Sequence, residues 1–177
     1  MLKIITTTII IILFSNLVNA QYLTLDKLIQ LRASNLEIVE EYLTNYKWIF
    51  HESKAETDTT LGVVQFAYNR NNYDESSVQL WLSYISHSNE GLKRIVYELH
   101  VPVEYYKLIT RAKFKGYKPI SNKIKDDEVI KVYQNGNSII VFEYRTTKNS
   151  IDSHIHTDFK LMILNKFDYF DNVIRKL

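Results

Sequence analysis

The chain has no cysteine, only four glycines and only two prolines in 177 residues. Without cysteine there is no disulfide, no thiol nucleophile and no thiolate ligand for a metal. The glycines, at 62, 91, 116 and 136, stand too far apart for a phosphate-cradling loop, and no Gly-x-Ser-x-Gly elbow occurs. Basic and acidic residues nearly balance, 22 against 20, for a net charge of +2. Nucleic acid is therefore not an expected partner, because phosphate binding wants a concentrated basic face. No Asn-x-Ser/Thr sequon is present. What remains is apolar and aromatic: 46% hydrophobic residues, with 13 tyrosines, 8 phenylalanines and 2 tryptophans. A chain with no covalent staple must draw its stability from such a core.

The first residues, MLKIITTTIIIILFSNLVNAQY, read as an export signal. Lys3 supplies the positive start, Ile4 to Phe14 the apolar run, and Val18-Asn19-Ala20 the small-x-small pattern that signal peptidase accepts. The run falls short of the roughly 20 apolar residues of a membrane span. Residues 1–20 are expected to be removed, leaving no stable membrane anchor and a chain of near-neutral charge in the periplasm or outside the cell. No cofactor is expected.

Beyond Thr24 the apolar spacing is helical, with Leu25, Leu28, Ile29, Leu36, Val39 and Leu43 on one stripe. A capping-box pattern at Ser34 to Glu37 allows a break, but one long helix is the preferred reading. From Trp48 the period becomes two. Val64, Phe66 and Tyr68, then Val78 to Tyr84, then Ile95 to Val101 read as strands with one buried face. Pro102 and Gly116 bracket a further helix with a stripe of Val103, Tyr106, Ile109 and Ala112. Strands then return at Tyr117 to Ser121, Val129 to Tyr133, Ser138 to Thr146 and His154 to Leu164. For the hairpin at Asn135-Gly136, a three-residue loop is preferred, since it gathers Ile130, Val132, Ile140, Phe142 and Tyr144 on one face. The expected class is α+β, with helices packed on one face of an antiparallel sheet. The order of elements suggests tandem duplication of an α-β-β-β-β unit, with halves at 21–101 and 102–177 forming one compact body.

The run TLDKLIQLR…EEYL…KWIF…VQFAYNRNNYD…WLSY…KGYKPISNKIKDDEVIKVYQNG resembles a family of small exported proteins of Bacteroidetes-type bacteria. The likeness rests on pattern and aromatic placement, carries no catalytic motif and assigns no site residue. In outline the doubled helix-plus-four-strand layout is also similar to secreted β-lactamase-inhibitor proteins, which implies a protein-binding sheet as an analogy of architecture.

Two constellations stand out. Trp81 and Tyr133 alternate with apolar residues, and parity assigns them to the outward sheet face with Arg94, His100 and Lys131. Aromatic and arginine side chains on an open sheet suit recognition of a protein or envelope component, or less well a glycan. The expected function is therefore a non-enzymatic binding module. The second constellation is "IDSHIHTDF", residues 151–159, where period two lines up His154 and His156 with Asp158 on one face. A metal-dependent enzyme at His154 and His156 is the alternative reading. Zinc usually takes three or more protein ligands. His100 is also on an outward parity, but no pairing of its strand with this one is legible, and Lys160 adds a nearby positive charge. A solvated strand face is thus expected here, with no metal. Ser86-His87-Ser88 reads as a turn, Asp126-Asp127-Glu128 as a solvated hairpin end and Glu40-Glu41 as the wet side of a helix.

Mass spectrometry of exported protein should find Gln21, free or cyclised, at the N-terminus. An intact Met1 in material that resists carbonate washing would make the first segment an anchor instead.

Overall fold

The computed structural model describes residues 22–69, 78–88, 91–125, 127–148 and 155–173. The expected signal segment 1–20 and the cleavage point before Gln21 lie outside these residues, as do turn residues 70–74 and 89–90, Asp126, Asp152 and His154.

The N-terminal helical stretch is two helices, α1 (Leu25–Ala33) and α2 (Leu36–Asn45), which corrects the single-helix expectation. Thr24 caps the first by accepting from the Lys27 amide. Asn35, not Ser34, caps the second, its Oδ1 accepting from the Ile38 amide at 3.0 Å. The sheet makes the break tolerable by serving the freed backbone. The Ser34 carbonyl accepts from the Tyr84 hydroxyl at 3.2 Å and from Lys93 Nζ at 3.0 Å. Arg32 Nε donates to the Lys93 carbonyl at 3.1 Å.

Helix α3 (Pro102–Phe114) starts on its proline as expected. It ends in a Schellman turn: the Tyr117 amide donates to the Ala112 carbonyl and the Gly116 amide to the Lys113 carbonyl. Gly116 has φ +83°, so a side chain there would be strained. The apolar stripe is shifted from the expected one. Tyr105, Leu108, Ile109 and Ala112 are buried, whereas Val103 and Tyr106 are exposed. The helix is turned so that Tyr105 meets Phe142 and Phe159, with ring centroids at 5.7 and 4.7 Å. The Asp26 carboxylate ties α1 to α3 by accepting from Arg111 Nε at 2.7 Å and Lys115 Nζ at 2.6 Å. Those two hydrogen bonds hold its pKa at about 2.

Eight strands form one antiparallel sheet: β1 (Trp48–Lys54), β2 (Gly62–Tyr68), β3 (Leu80–His87), β4 (Leu92–Leu99), β5 (Lys118–Lys125), β6 (Glu128–Asn135), β7 (Ser138–Lys148) and β8 (Ile155–Asn165). Their order is β1-β2-β3-β4-β8-β7-β6-β5. Each half is a meander whose last strand reaches the middle, where β4 pairs β8 through Ile95↔Ile163, Tyr97↔Leu161 and Leu99↔Phe159. These six residues face the helices, in a core with Phe66, Leu80, Leu82, Ile140 and Phe142. The α+β class and antiparallel sheet are as expected.

The second face is not left bare, contrary to the expectation of helices on one face alone. A last helix, α4 (Lys166–Asp168), runs on into a π turn (Tyr169–Val173) and crosses that face. Tyr169 and Val173 pack there with Ile130, Val132, Ile139, Val141 and Leu164. This second core explains the β6–β7 register. Asn135 pairs Ser138 around a two-residue Gly136-Asn137 turn, with φ +55° at Gly136. The three-residue loop is thereby corrected. Tyr133, Ile140 and Phe142 go to the helix face, and Ile130, Val132, Ile139 and Val141 to the other. Both sets are apolar because both faces are covered here.

A two-pronged ion pair pins the last helix. Arg94 Nε and Nη2 donate to Asp168 Oδ2 and Oδ1, each at 2.6 Å, and the Asp168 side chain is fully buried. Removing one member leaves the other buried and unpaired. Asp168→Ala should cost about 3 kcal/mol in urea unfolding. Replacing both, as Arg94→Met with Asp168→Leu, should recover most of that loss.

Candidate functional site

On the face opposite α1–α3, the C-terminal helix covers β6, β7 and the end of β8. Among the described residues, no helix lies on the β2–β3 part of that face. Trp81 sits there, half-buried, flanked in register by Ala67 on β2 and Glu98 on β4. The His51 ring lies 4.8 Å from the Trp81 ring at a steep angle. Ile49, paired with Ala67, is exposed beside them. Ala67, Ser83 and Val96 form a buried floor between these larger groups.

The expected cluster of outward residues divides. Trp81 and His100 share this face. Arg94 shares it too, but its guanidinium is committed to Asp168 and is no free anchor. Tyr133 and Lys131 are on the opposite, helix-covered face. Tyr133 is buried against Phe142 at 5.6 Å, and Lys131 Nζ stands 5.8 Å over the Tyr144 ring. Val132 faces the second core under the last helix, so its neighbours Lys131 and Tyr133 turn toward α1–α3. Ser86 and His87 belong to β3 instead of a turn, and His87 is buried with Nε2 3.1 Å from the Thr57 carbonyl.

The larger surprise is at His100. The strand that leads into it, β4, does pair with β8, contrary to the expectation that nothing joins them. One step past Leu99↔Phe159, His100 stands beside Asp158, with Nδ1 to Oδ1 at 3.1 Å. His156, two residues back along β8 and on the same face, brings Nε2 to the same oxygen at 2.8 Å. The three donor atoms all lie within 4.8 Å of one another. His154 lies outside the described residues; among them His156 and Asp158 are joined by His100. A cross-strand partner nearly 60 residues away leaves no local signal. The polar outward parity shared by the ends of β4 and β8 was the only hint.

Beside this trio is a shallow depression of about 220 Å³ lined by Glu98, Glu128, Glu143, Asp158, Arg145 and Lys160 among others. Lys160 is not a free repelling charge: it pairs with Glu143 and faces Glu98 in register. Arg145 approaches Glu128 at 3.6 Å. Glu98 lies beside Lys160 in this depression. Burial raises its pKa, with Lys160 pulling the other way and Asp158 adding to the rise. A larger cleft, about 450 Å³, lies on the helix side between residues 22–26 and α3, over Tyr97, Leu99 and Leu108. Its rim charges are engaged with partners, Asp26 with Arg111 and Glu104 with Lys107 at 2.8 Å.

Comparison with protein-family models, with curated proteins and with solved structures finds no match.

A raised carboxyl pKa means the folded state holds that proton more tightly than the unfolded chain. The benefit is full below about pH 4.3, the usual glutamate value, and is lost as pH rises through the raised one. Glu98→Gln removes the charge that burial penalises. The thermal midpoint of Glu98→Gln should therefore gain on the wild type between pH 4 and pH 7. A gap that stays constant across this range would contradict the assignment.

Proposed function

We propose that the chain is an exported, non-enzymatic binding module. It recognises a protein through the uncovered part of the sheet face that carries Trp81. The observation that carries the reading is that indole: half-buried, propped by His51, and set on strands over which no described helix passes on that side. A large amphipathic ring held rigidly on a sheet loses little conformational freedom when a partner lands, which is why Trp is enriched among binding hot spots. Ile49 extends the apolar area, and Glu98, His100 and Asp158 give it a polar border on one side. A protein surface suits this mixture better than a glycan, because His51 already occupies part of the indole that a sugar ring would stack on.

Export rests on the lysine, apolar run and small-x-small pattern of residues 3–20. Duplication of an α-β-β-β-β unit is supported by the sheet order, in which each four-stranded meander ends at the centre. It also supports the architectural likeness to inhibitor proteins that bind through a sheet. Beside the histidine cluster Lys160 is paired with Glu143 and Arg145 with Glu128, which gives the alternative of a metal-dependent enzyme less to work with.

Affinity capture from cell envelope and culture medium tests the proposal. A protein recovered by the mature chain should be lost with Trp81→Ala and kept with Phe114→Ser, a change of the highly exposed ring at the end of α3. Retention by Trp81→Ala would move the interface off this face. No recovered protein, together with metal-dependent turnover of a substrate panel, would replace the binding reading with the enzyme.

A further inference from the structure

We infer that His100, His156 and Asp158 form a binding site for one divalent transition-metal cation, of which zinc is the natural probe. The inference stands apart from the partner-binding proposal and needs neither a partner nor turnover.

The donor set is the first argument. Two imidazoles and one carboxylate suit the borderline cations, zinc, cobalt, nickel and copper, better than calcium or magnesium, which prefer oxygen. Spacing is the second. In a tetrahedral site with bonds of about 2.0–2.2 Å, neighbouring donors lie about 3.3 Å apart. The two histidine–carboxylate separations are 3.1 and 2.8 Å. The remaining imidazole–imidazole separation is at most 4.8 Å, and the ring centroids are 5.2 Å apart. A modest side-chain rotation of two partly exposed rings closes that edge.

Rigidity is the third argument. Asp158 and His156 are fixed on β8 by pairing with β7, Asp158 to Arg145 and His156 to Thr147. His100 is delivered by β4 from the other side, at the junction where the two meanders join. Two ligands therefore sit on β8 and the third one residue past the paired end of β4, in the middle of the sheet. Local charge is the fourth. Of the residues lining the adjoining depression, four are acidic, Glu98, Glu128, Glu143 and Asp158, and two are basic, Arg145 and Lys160. The outer coordination positions face solvent, with the two histidine side chains 36% and 59% exposed.

A carboxylate bridging two imidazoles through hydrogen bonds has similar distances without any metal, so uptake is the deciding measurement. Chelator-treated full chain is titrated with zinc by calorimetry, and with cobalt by visible absorption. One ion per chain is expected, with the cobalt spectrum showing nitrogen–oxygen ligation at low coordination number. His100→Ala, His156→Ala and Asp158→Asn should each weaken zinc binding at least tenfold. Glu37→Ala, on the exposed side of α2, should leave it unchanged. Affinity should also fall as pH is lowered, because protons compete for the imidazoles. Circular dichroism confirms that these surface variants remain folded. No stoichiometric uptake would assign the trio to hydrogen bonding alone. Uptake that survives His100→Ala would move the ion to other ligands and overturn the site.

Discussion

Everything in this molecule hangs on the pairing of β4 with β8. It joins the two meanders between residues some 60 positions apart, with no disulfide to hold them. Sequence-distant contacts of this kind demand loop-closure entropy before they return any binding energy. The return comes from the facing pairs Ile95↔Ile163, Tyr97↔Leu161 and Leu99↔Phe159, all of which lie under the helices. Because side chains alternate along a strand, the same register delivers Glu98 beside Lys160 and His100 beside Asp158 to the other face. A slip of one residue would expose the core and scatter the histidine cluster at the same time. Core and candidate site are thus two faces of a single register.

The aromatic surplus is distributed by the same logic. Of the two rings that suggested a binding surface, Tyr133 instead joins other aromatics in filling the space between α3 and the sheet. Tyr105 stands at the centre of that layer, against Phe142 and Phe159, and Tyr133 joins it through Phe142. Trp48 extends the layer toward Tyr68 and Tyr97. Large rings reach across the gap between helix and sheet with few voids, which a chain without staples needs. Trp81 is on the other side, where no helix among the described residues covers it. Its position is therefore informative in a way that the number of aromatic residues is not.

Much of the architecture was legible because the sequence pattern had one meaning. Val64-x-Phe66-x-Tyr68 and Leu80-x-Leu82-x-Tyr84 have a clear buried parity, and both fold as read. Pro102 and Gly116 bracket their helix for local steric reasons that hold in any context. The β6–β7 hairpin was misread where the pattern had two meanings. Ile139 to Phe142 is apolar at every position, so periodicity cannot say which face is buried. The answer came from a C-terminal segment, Lys166–Val173, whose short helical turn is too small to announce itself. Its buried Asp168 is equally silent in sequence, since only the folded chain brings Arg94 to it. The histidine cluster failed to appear for a related reason. His156 and Asp158 are neighbours by periodicity, whereas His100 reaches them only through a strand order that local pattern does not encode.

The division of the second face into covered and uncovered parts follows from where charge falls on the central strands. Over β6 and β7 that face offers Ile130, Val132, Ile139 and Val141, and a helix seals it. At β4 and β8 it offers Arg94, Glu98 and Lys160, which a helix can cover only if each is paired. Arg94 meets that condition through Asp168, and the helix reaches that far. Beyond it, Glu98 shows the cost of burial in its raised pKa even with Lys160 opposite, and His100, His156 and Asp158 keep contact with water. Desolvating these groups would oppose any further cover laid over them. The polar groups left outside the last helix are also the groups that can exchange solvent for a cation or a partner.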